Sequence, residues 1–498
     1  MNSRVPRVVV VGNGMAGFRF VQELLGLDAG FAVTVVAEEP GSPYNRVQLT
    51  NVLAGTARAD SIELADEDWY AARGVRLVAG VAAARIDRAG RLLELADGSA
   101  VPYDILVLAV GSAPVRPAAT VDSHGRLVPG AVAFRTLADY AEIRALAADA
   151  RCAVVLGGGV LGLETACGLA ASGLPVTLVQ RGPRLMERQL DAEAARMLAR
   201  TTRSLGVAMR AGTSVRDVRP ARSRVTGIVL DDGESLDADL LVLCCGSRPR
   251  TGLAGAAGLA VGTGVVVDDQ MRSVTDPGIF AIGDCAEHRG RTHGLVAPAW
   301  AQARVAARAI ASWYTAGRAS QGAIGYFGSP SVIRLKAAGI ELATLGSVRG
   351  GGGAEVIRFT DPSRGVYQKL VVRGGRLAGA IMLGDTRTAG TITQLFDRGA
   401  ALPADRSSLL VARRDTAASV RADSPLTIPG HATICQCNGV TKAAICAAWQ
   451  DGAKDPGAIA ARTRASTGCG TCRDAVEGIV AWLAAAEPVL EAPGMVRA

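Results

Sequence analysis

Four cysteines near the C-terminus are spaced for metal chemistry. Cys435 and Cys437 form a C-x-C pair, and Cys469 and Cys472 form a C-x2-C pair about thirty residues further on. Four thiolates in two close pairs suit either one zinc ion or a [2Fe-2S] cluster. Paired zinc ligands usually stand two to four residues apart, so C-x-C is tight for zinc and suits two irons. Gly439, Gly468 and Gly470 flank the pairs and free backbone N–H groups to bond sulfur. The helix expected from Cys472 to about residue 486 turns its positive end toward a negatively charged cluster. The spacing favours the cluster and leaves a zinc-held module open.

Two glycine fingerprints suggest a second chemistry. Gly12, Gly14 and Gly17 form G-x-G-x-x-G, with Ala16 inside it. An apolar run over 8–11 precedes it. A helical pattern with Phe18, Val21, Leu24 and Leu25 on one side follows, and a second apolar run over 33–36 leads to Glu38. This strand, turn, helix, strand and acid order is the context a dinucleotide site needs. Gly12 permits the turn, Gly14 admits a pyrophosphate and Gly17 lets helix and strand close up. The helix N-terminus faces the phosphates, and Glu38 can accept from a ribose diol. The fingerprint recurs at Gly157, Gly159 and Gly162, between apolar runs at 153–156 and 176–179. Here the second strand ends in Gln180, with Arg181 and Arg184 beside it. Arginine pairs with a 2′-phosphate that a carboxylate would repel, so the second site leans to NADPH over NADH.

The elements that must position these residues read as alternating strands and helices. Strands are expected at 75–81, 91–95, 105–110 and 241–246, the last two ending at Ala109-Val110-Gly111 and at Gly246. The run 279–284 ends in Gly283-Asp284, where the carboxylate could accept from a polyol hydroxyl or cap a helix. An Ala-rich helix follows over 297–311. Arg46, in a Pro/Gly-rich loop, could clamp a phosphate or face solvent. From 326 to 402, strands at 332–335, 355–359, 366–372 and 377–383 precede a helix, which reads as a small antiparallel α+β domain for packing or dimerisation. Residues 404–429, rich in Asp, Arg, Ser and Pro, read as a linker with some helix.

Composition narrows the class. In 498 residues no apolar run approaches the ~20 residues of a membrane span, and the N-terminus lacks a signal-peptide shape, so a cytoplasmic protein with no membrane partner is expected. Six further cysteines are scattered as buried thiols would be in a reducing compartment. The net charge of +8 is carried largely by scattered arginines, without aromatic interleaving, which argues against nucleic acid and allows an acidic redox partner.

With these residues in view, positions 5 to about 310 resemble the two-dinucleotide flavoprotein reductases. Nearly the whole chain is similar to the flavin and [2Fe-2S] portion of assimilatory nitrite reductase large subunits, and equally to electron-transfer subunits of assimilatory nitrate reductases. The closer likeness rests on Tyr44-Asn45-Arg46-Val47, Leu185-Met186-Glu187-Arg188-Gln189-Leu190-Asp191, Gly294-Leu295-Val296-Ala297-Pro298 and Val366-Tyr367-Gln368-Lys369-Leu370-Val371-Val372. The cysteine module resembles the bacterioferritin-associated-ferredoxin (BFD-like) domain.

The resemblance implies an α/β fold, glutathione-reductase-like, with a small α+β domain and a C-terminal helical BFD-like [2Fe-2S] domain. It implies an FAD-binding domain over 1–112 and 245–318, an NAD(P)H-binding domain over 113–244, the small interface domain over 319–402, a linker over 403–430 and the cluster domain over 431–490. Arg46, Ala83, Arg135, Asp284 and Val296 would join the first fingerprint, Ala109 and Gly111 as FAD contacts, and Glu164 would sit near the nicotinamide as the catalytic-site acid. Many relatives carry Lys beside the flavin where this chain has Asn51, which puts that contact in doubt.

Two absences add to this. The 44–53 loop has none of the redox cysteines of disulfide reductases, so electrons need another exit, and the cluster offers one. Full nitrite reductase subunits continue into a sirohaem domain. The sequence ends at Ala498 before any such motif, so nitrite reduction itself is expected to be absent or to lie on a partner. The function implied is an NAD(P)H:acceptor oxidoreductase feeding a terminal reductase, with a molybdenum nitrate reductase ahead of a nitrite reductase, a ferredoxin-type acceptor or an oxidase complex. A homodimer stays open. The reading from another class is a zinc-stapled, redox-sensing flavoprotein adaptor.

Overall fold

The computed structural model describes residues 5–221, 224–315, 325–329, 331–335, 337, 339–410, 428–430, 432–435, 438–467 and 472–486. The chain divides into two compact units, Met1–Ser331 with Lys336–Ile340, and Val332–Leu335 with Glu341–Ala498.

The first unit is built on two parallel five-stranded sheets. The order in one is Ile279–Ala281, Ile105–Leu108, Arg7–Val11, Ala32–Ala37, Arg76–Ala79. In register, Val8 lies opposite both Val33 and Ile105. Four of the five residues of Arg7–Val11 and all of Ile105–Leu108 are buried, as expected of central strands covered on both faces. The helix Met15–Leu25 buries Phe18, Val21 and Leu24 and packs beside Val296–Thr315. The second sheet runs Val207–Ala211, Val176–Gln180, Ala153–Leu156, Leu240–Leu243, Ala131–Ala133, again parallel throughout. The chain passes between the two lobes on a short antiparallel pair, Ser112–Pro114 with Ser247–Pro249.

In the second unit a five-stranded antiparallel sheet is followed by the helix Ala389–Arg398, which ends on left-handed Gly399. Three helices then follow, Lys442–Gln450, Pro456–Thr463 and Arg473–Ala486. Thr441 caps the first of these by accepting from Ala444 N–H.

Several boundaries differ from the sequence reading. The small sheet has a fifth strand, Leu342–Gly346, which pairs with Arg376–Leu383. Strand Ile105–Leu108 stops two residues early, level with the ends of its neighbours, where Val11 and Ala281 lie opposite Leu108. The Ala-rich helix runs from Val296 to Thr315, past the expected end at 311. Within the expected linker a 3-10 turn spans Arg406–Leu409, while 411–427 lie outside the described residues.

Candidate dinucleotide sites and cysteine centre

Both glycine turns have the shape a pyrophosphate requires. Gly12 sits at φ +110°, and a Cβ there would strike the Ala109 carbonyl. A Cβ on Gly17 would strike the Gly12 carbonyl, so helix and strand close only around glycine. Gly14 differs: a Cβ there would have nothing within 4 Å. The open position lies at the N-cap of Met15–Leu25, which has no side-chain cap, so its first N–H groups are available to an anion. The second turn repeats the pattern. Gly157 and Gly162 are close-packed, Gly159 opens to space, and Val160–Ala171 starts without a side-chain cap.

The two strand ends differ in chemistry. Glu38 is exposed and forms an ion pair with Arg250, which itself follows the crossover pair and donates its N–H to Gly111 O at 3.0 Å. Gln180 turns back on its own loop, where Oε1 accepts from Gly158 N–H at 2.7 Å. Arg181 is exposed beside it, and Arg184 is half-buried with no partner for Nε among the described residues.

A polar network lies where the lobes meet. Asp284, in the 3-10 turn Gly283–Cys285, accepts from Arg135 Nη2 and from Ser112 Oγ, each at 2.7 Å on the same oxygen. Ile282 holds the N-cap position of that turn, so the capping alternative for Asp284 is set aside. Arg46 donates to the Arg135 carbonyl at 2.9 Å, pairs with Glu39, and lies 5.1 Å over the Tyr44 ring. Tyr44 donates to Glu39 at 2.6 Å, and burial pushes its phenol well up. Arg46 is thus held in the protein rather than facing solvent.

Gly283 stands at φ +75° beside Ala16, and its N–H donates to buried Gln302 Oε1 at 2.8 Å. Val296 opens the helix whose Trp300 donates to Met15 O at 3.1 Å. Ala83 begins the strand Ala83–Asp87, two residues after Val81, whose N–H donates to Ala37 O. Gly246 turns at φ +93° and its carbonyl accepts from Val115 N–H at 2.9 Å.

Glu164 is 5% exposed on Val160–Ala171, and Thr50 Oγ1 donates to its Oε2 at 2.7 Å. The short helix Leu49–Leu53 packs against Val160–Ala171, with Ala54 facing Gly168. Burial holds three nearby thiols in the protonated form at neutral pH. Burial pushes Cys167 to about 11 and Cys244 to about 12; at Cys245 burial outweighs the opposing pull of Arg181 and gives about 11.

In the second unit Cys435 ends the strand Thr433–Cys435, and Cys472 directly precedes Arg473–Ala486. Both are buried in one apolar core with Ile445, Trp449 and Ile479. Ser466 N–H donates to Cys472 Sγ at 3.2 Å. Cys437 and Cys469 lie outside the described residues.

Sequence reasoning missed Glu39, Thr50, Ser112, Arg250 and Gln302. Glu39 adjoins Glu38 and Ser112 adjoins Gly111, so adjacency to a motif was the available signal for those two. Thr50, Arg250 and Gln302 reach the sites only through tertiary packing.

Comparison with known proteins agrees with this geometry. Residues 6–319 match the pyridine nucleotide-disulphide oxidoreductase family, 331–400 the rubredoxin NAD+ reductase C-terminal domain, and 433–482 the BFD-like [2Fe-2S] binding domain. The chain is 34% identical to a nitrite reductase (NAD(P)H) of Bacillus subtilis strain 168, over 95% of this chain and 57% of that one. It is 36% identical to the nitrite reductase (NAD(P)H) large subunit of Klebsiella oxytoca, over 97% and 50%. It is 33% identical to the assimilatory nitrate reductase electron transfer subunit of Bacillus subtilis strain 168, over 97% and 60%. The chain therefore spans half to three-fifths of the length of these relatives. Among solved structures, putidaredoxin reductase in its covalent complex with putidaredoxin superposes with TM-score 0.72 at 27% identity, covering 82% of this chain and 99% of that one.

Proposed function

The chain belongs to the pyridine nucleotide-disulphide oxidoreductase family and carries a BFD-like [2Fe-2S] binding domain, and on that premise we propose that it draws electrons from NAD(P)H and delivers them to a terminal reductase. One observation carries the reading: two open glycine cradles and a buried-cysteine module stand in one chain whose 44–53 loop has no redox cysteine pair. FAD, when bound, supplies two-electron acceptance with one-electron release, and the cluster supplies one-electron carriage.

The chain's own part is to bind and orient. Gly12, Gly14, Ala16 and Gly17 would take the FAD pyrophosphate at the open N-terminus of Met15–Leu25, with Glu38 on the ribose. Arg46, Ala83, Ala109, Gly111, Arg135, Gly283, Asp284 and Val296 would line the rest of that site. The Arg135–Asp284 ion pair supports this, because it fixes the Gly283 turn against the second lobe. Gly157, Gly159, Gly162, Gln180, Arg181 and Gly246 would hold NAD(P)H, with Glu164 near the nicotinamide, oriented by the Thr50 hydroxyl. The exposed Arg181 and the unpartnered Nε of Arg184 favour NADPH. Cys435, Cys437, Cys469 and Cys472 would ligate the cluster.

The domain limits that fit these roles are 1–112 with 245–318 for FAD, 113–244 for NAD(P)H, 319–402 for the small domain and 431–490 for the cluster. The crossover pair Ser112–Pro114 and Ser247–Pro249 supports the first boundary. Cys152, Cys167, Cys244, Cys245, Cys285 and Cys446, the described cysteines outside the proposed cluster ligands, are free thiols, which fits a reducing compartment, the cytoplasm. Among the described residues no helix is long and apolar enough to cross a membrane. The similarity to an assimilatory nitrate reductase electron transfer subunit fits a molybdenum nitrate reductase as client, and the similarity to nitrite reductases fits a sirohaem nitrite reductase as the alternative.

Flavin, iron and zinc content per chain after anaerobic purification tests the reading. A brown protein with FAD and two irons is expected. A yellow protein with one zinc and no iron would overturn it in favour of a zinc-stapled adaptor.

A further inference from the structure

We propose that Asn438 is a positioning residue that ties the segment after Cys437 to the turn Arg464–Thr467 and thereby sets the retention and the potential of the cluster. The inference rests on the [2Fe-2S] reading of this module. Asn438 follows Cys437 in sequence, and Thr467 precedes Gly468-Cys469. The Asn438 side chain joins the two segments. Its Nδ2 donates to Arg464 O at 2.6 Å and to Thr467 Oγ1 at 3.1 Å, across 26 and 29 residues. The Thr467 hydroxyl donates to the same Arg464 carbonyl at 2.9 Å. Three polar groups thus converge on one turn.

That turn needs support. Arg464 and Ser466 both stand at φ +62°, a left-handed conformation that residues with a Cβ avoid. Strained backbone of this kind persists only where its surroundings over-determine it. The conformation serves two purposes. Arg464 closes the helix Pro456–Thr463 with its N–H on Ala460 O. Ser466 aims its N–H at Cys472 Sγ, 3.2 Å away. An N–H bond to a ligand sulfur offsets thiolate charge and raises a cluster's potential. Asn438 fixes the carbonyl on which the turn pivots, so it acts on Cys472 through Ser466 without touching the sulfur.

The test uses full-length holoprotein. Asn438→Leu keeps the branched shape and removes the donor. Two lost hydrogen bonds predict loss of iron to a chelator about tenfold faster than wild type. The loosened Ser466 contact predicts a more negative midpoint in a redox titration followed by EPR. Thr467→Val should move both quantities in the same direction, and Thr467→Ser, which keeps the hydroxyl, should restore them. An Asn438→Leu protein with wild-type iron retention and an unshifted midpoint overturns the brace. Should that variant fail to fold, Thr467→Val against Thr467→Ser decides by potential alone, and equal midpoints overturn it. A wild-type protein with no reduced-cluster signal defeats the cluster reading itself, whereas a wild-type signal with unshifted variants defeats only the brace.

Discussion

Asp284 and Arg135 meet at 2.7 Å although 149 residues separate them. One lies in the turn after strand Ile279–Ala281, the other just beyond Ala131–Ala133, so a single ion pair ties one lobe to the other. Both side chains are about a quarter exposed or less, which protects the pair from full solvent screening. Removing the carboxylate leaves a guanidinium short of a partner and frees the Gly283 turn. Asp284→Ala should weaken FAD binding about tenfold, read by flavin fluorescence as FAD is returned to deflavo-protein. Wild-type affinity in that variant would contradict the role given to the turn.

The glycines of the first fingerprint should separate folding from binding. Gly17→Ala drives a Cβ into the Gly12 carbonyl and should lower the melting temperature of the flavin-free protein. Gly14→Ala meets no protein atom within 4 Å and should leave that temperature within a degree or two while FAD is lost. Equal melting penalties in the two variants would show that the open position is not the cofactor's.

Nicotinamide preference should respond to Arg181. Arg181→Glu places a carboxylate where a 2′-phosphate would sit, and the NADPH-to-NADH ratio of kcat/KM should fall at least about tenfold. An unmoved ratio would place the phosphate elsewhere.

The buried thiols predict an alkaline limit. Burial pushes Cys167 to about 11, Cys244 to about 12 and Cys285 to about 11, against 9.0 for a free thiol. The folded chain therefore keeps protons that the unfolded chain releases. This contribution to stability is whole below pH 9 and declines as pH rises through 9 toward 11–12. The urea midpoint should hold steady from pH 7 to 8.5 and fall above 9, and Cys244→Ala should lessen the fall. At pH 8 iodoacetamide should leave all three unlabelled in native protein; rapid labelling would contradict their burial.

Local features were legible in the sequence, and long-range ones were not. Each glycine fingerprint is strand, turn and helix within about thirty residues, so spacing alone placed Gly12, Gly17, Gly157 and Gly162 where close packing demands glycine. Thr441 as a cap and the helix ending at Ala486 were equally local. Strand Leu342–Gly346 was overlooked because its short apolar run lies among glycines and reads as loop until Arg376–Leu383 pairs with it. The strand end marks Glu38 as a ribose acceptor, and no nearby residue announces Arg250, its ion-pair partner 212 residues away. Thr50 on Glu164 and Gln302 on Gly283 arise in the same way, from packing that brings distant segments together.

The central claim is that this one chain carries electrons from a nicotinamide nucleotide to iron and sulfur. Anaerobic titration of the purified holoprotein with NADPH, followed by optical absorbance and low-temperature EPR, tests it most directly. Flavin bleaching accompanied by the signal of a reduced [2Fe-2S] cluster, about one spin per chain, is the predicted result. Flavin bleaching with no cluster signal, in protein that contains its full complement of iron, would contradict it.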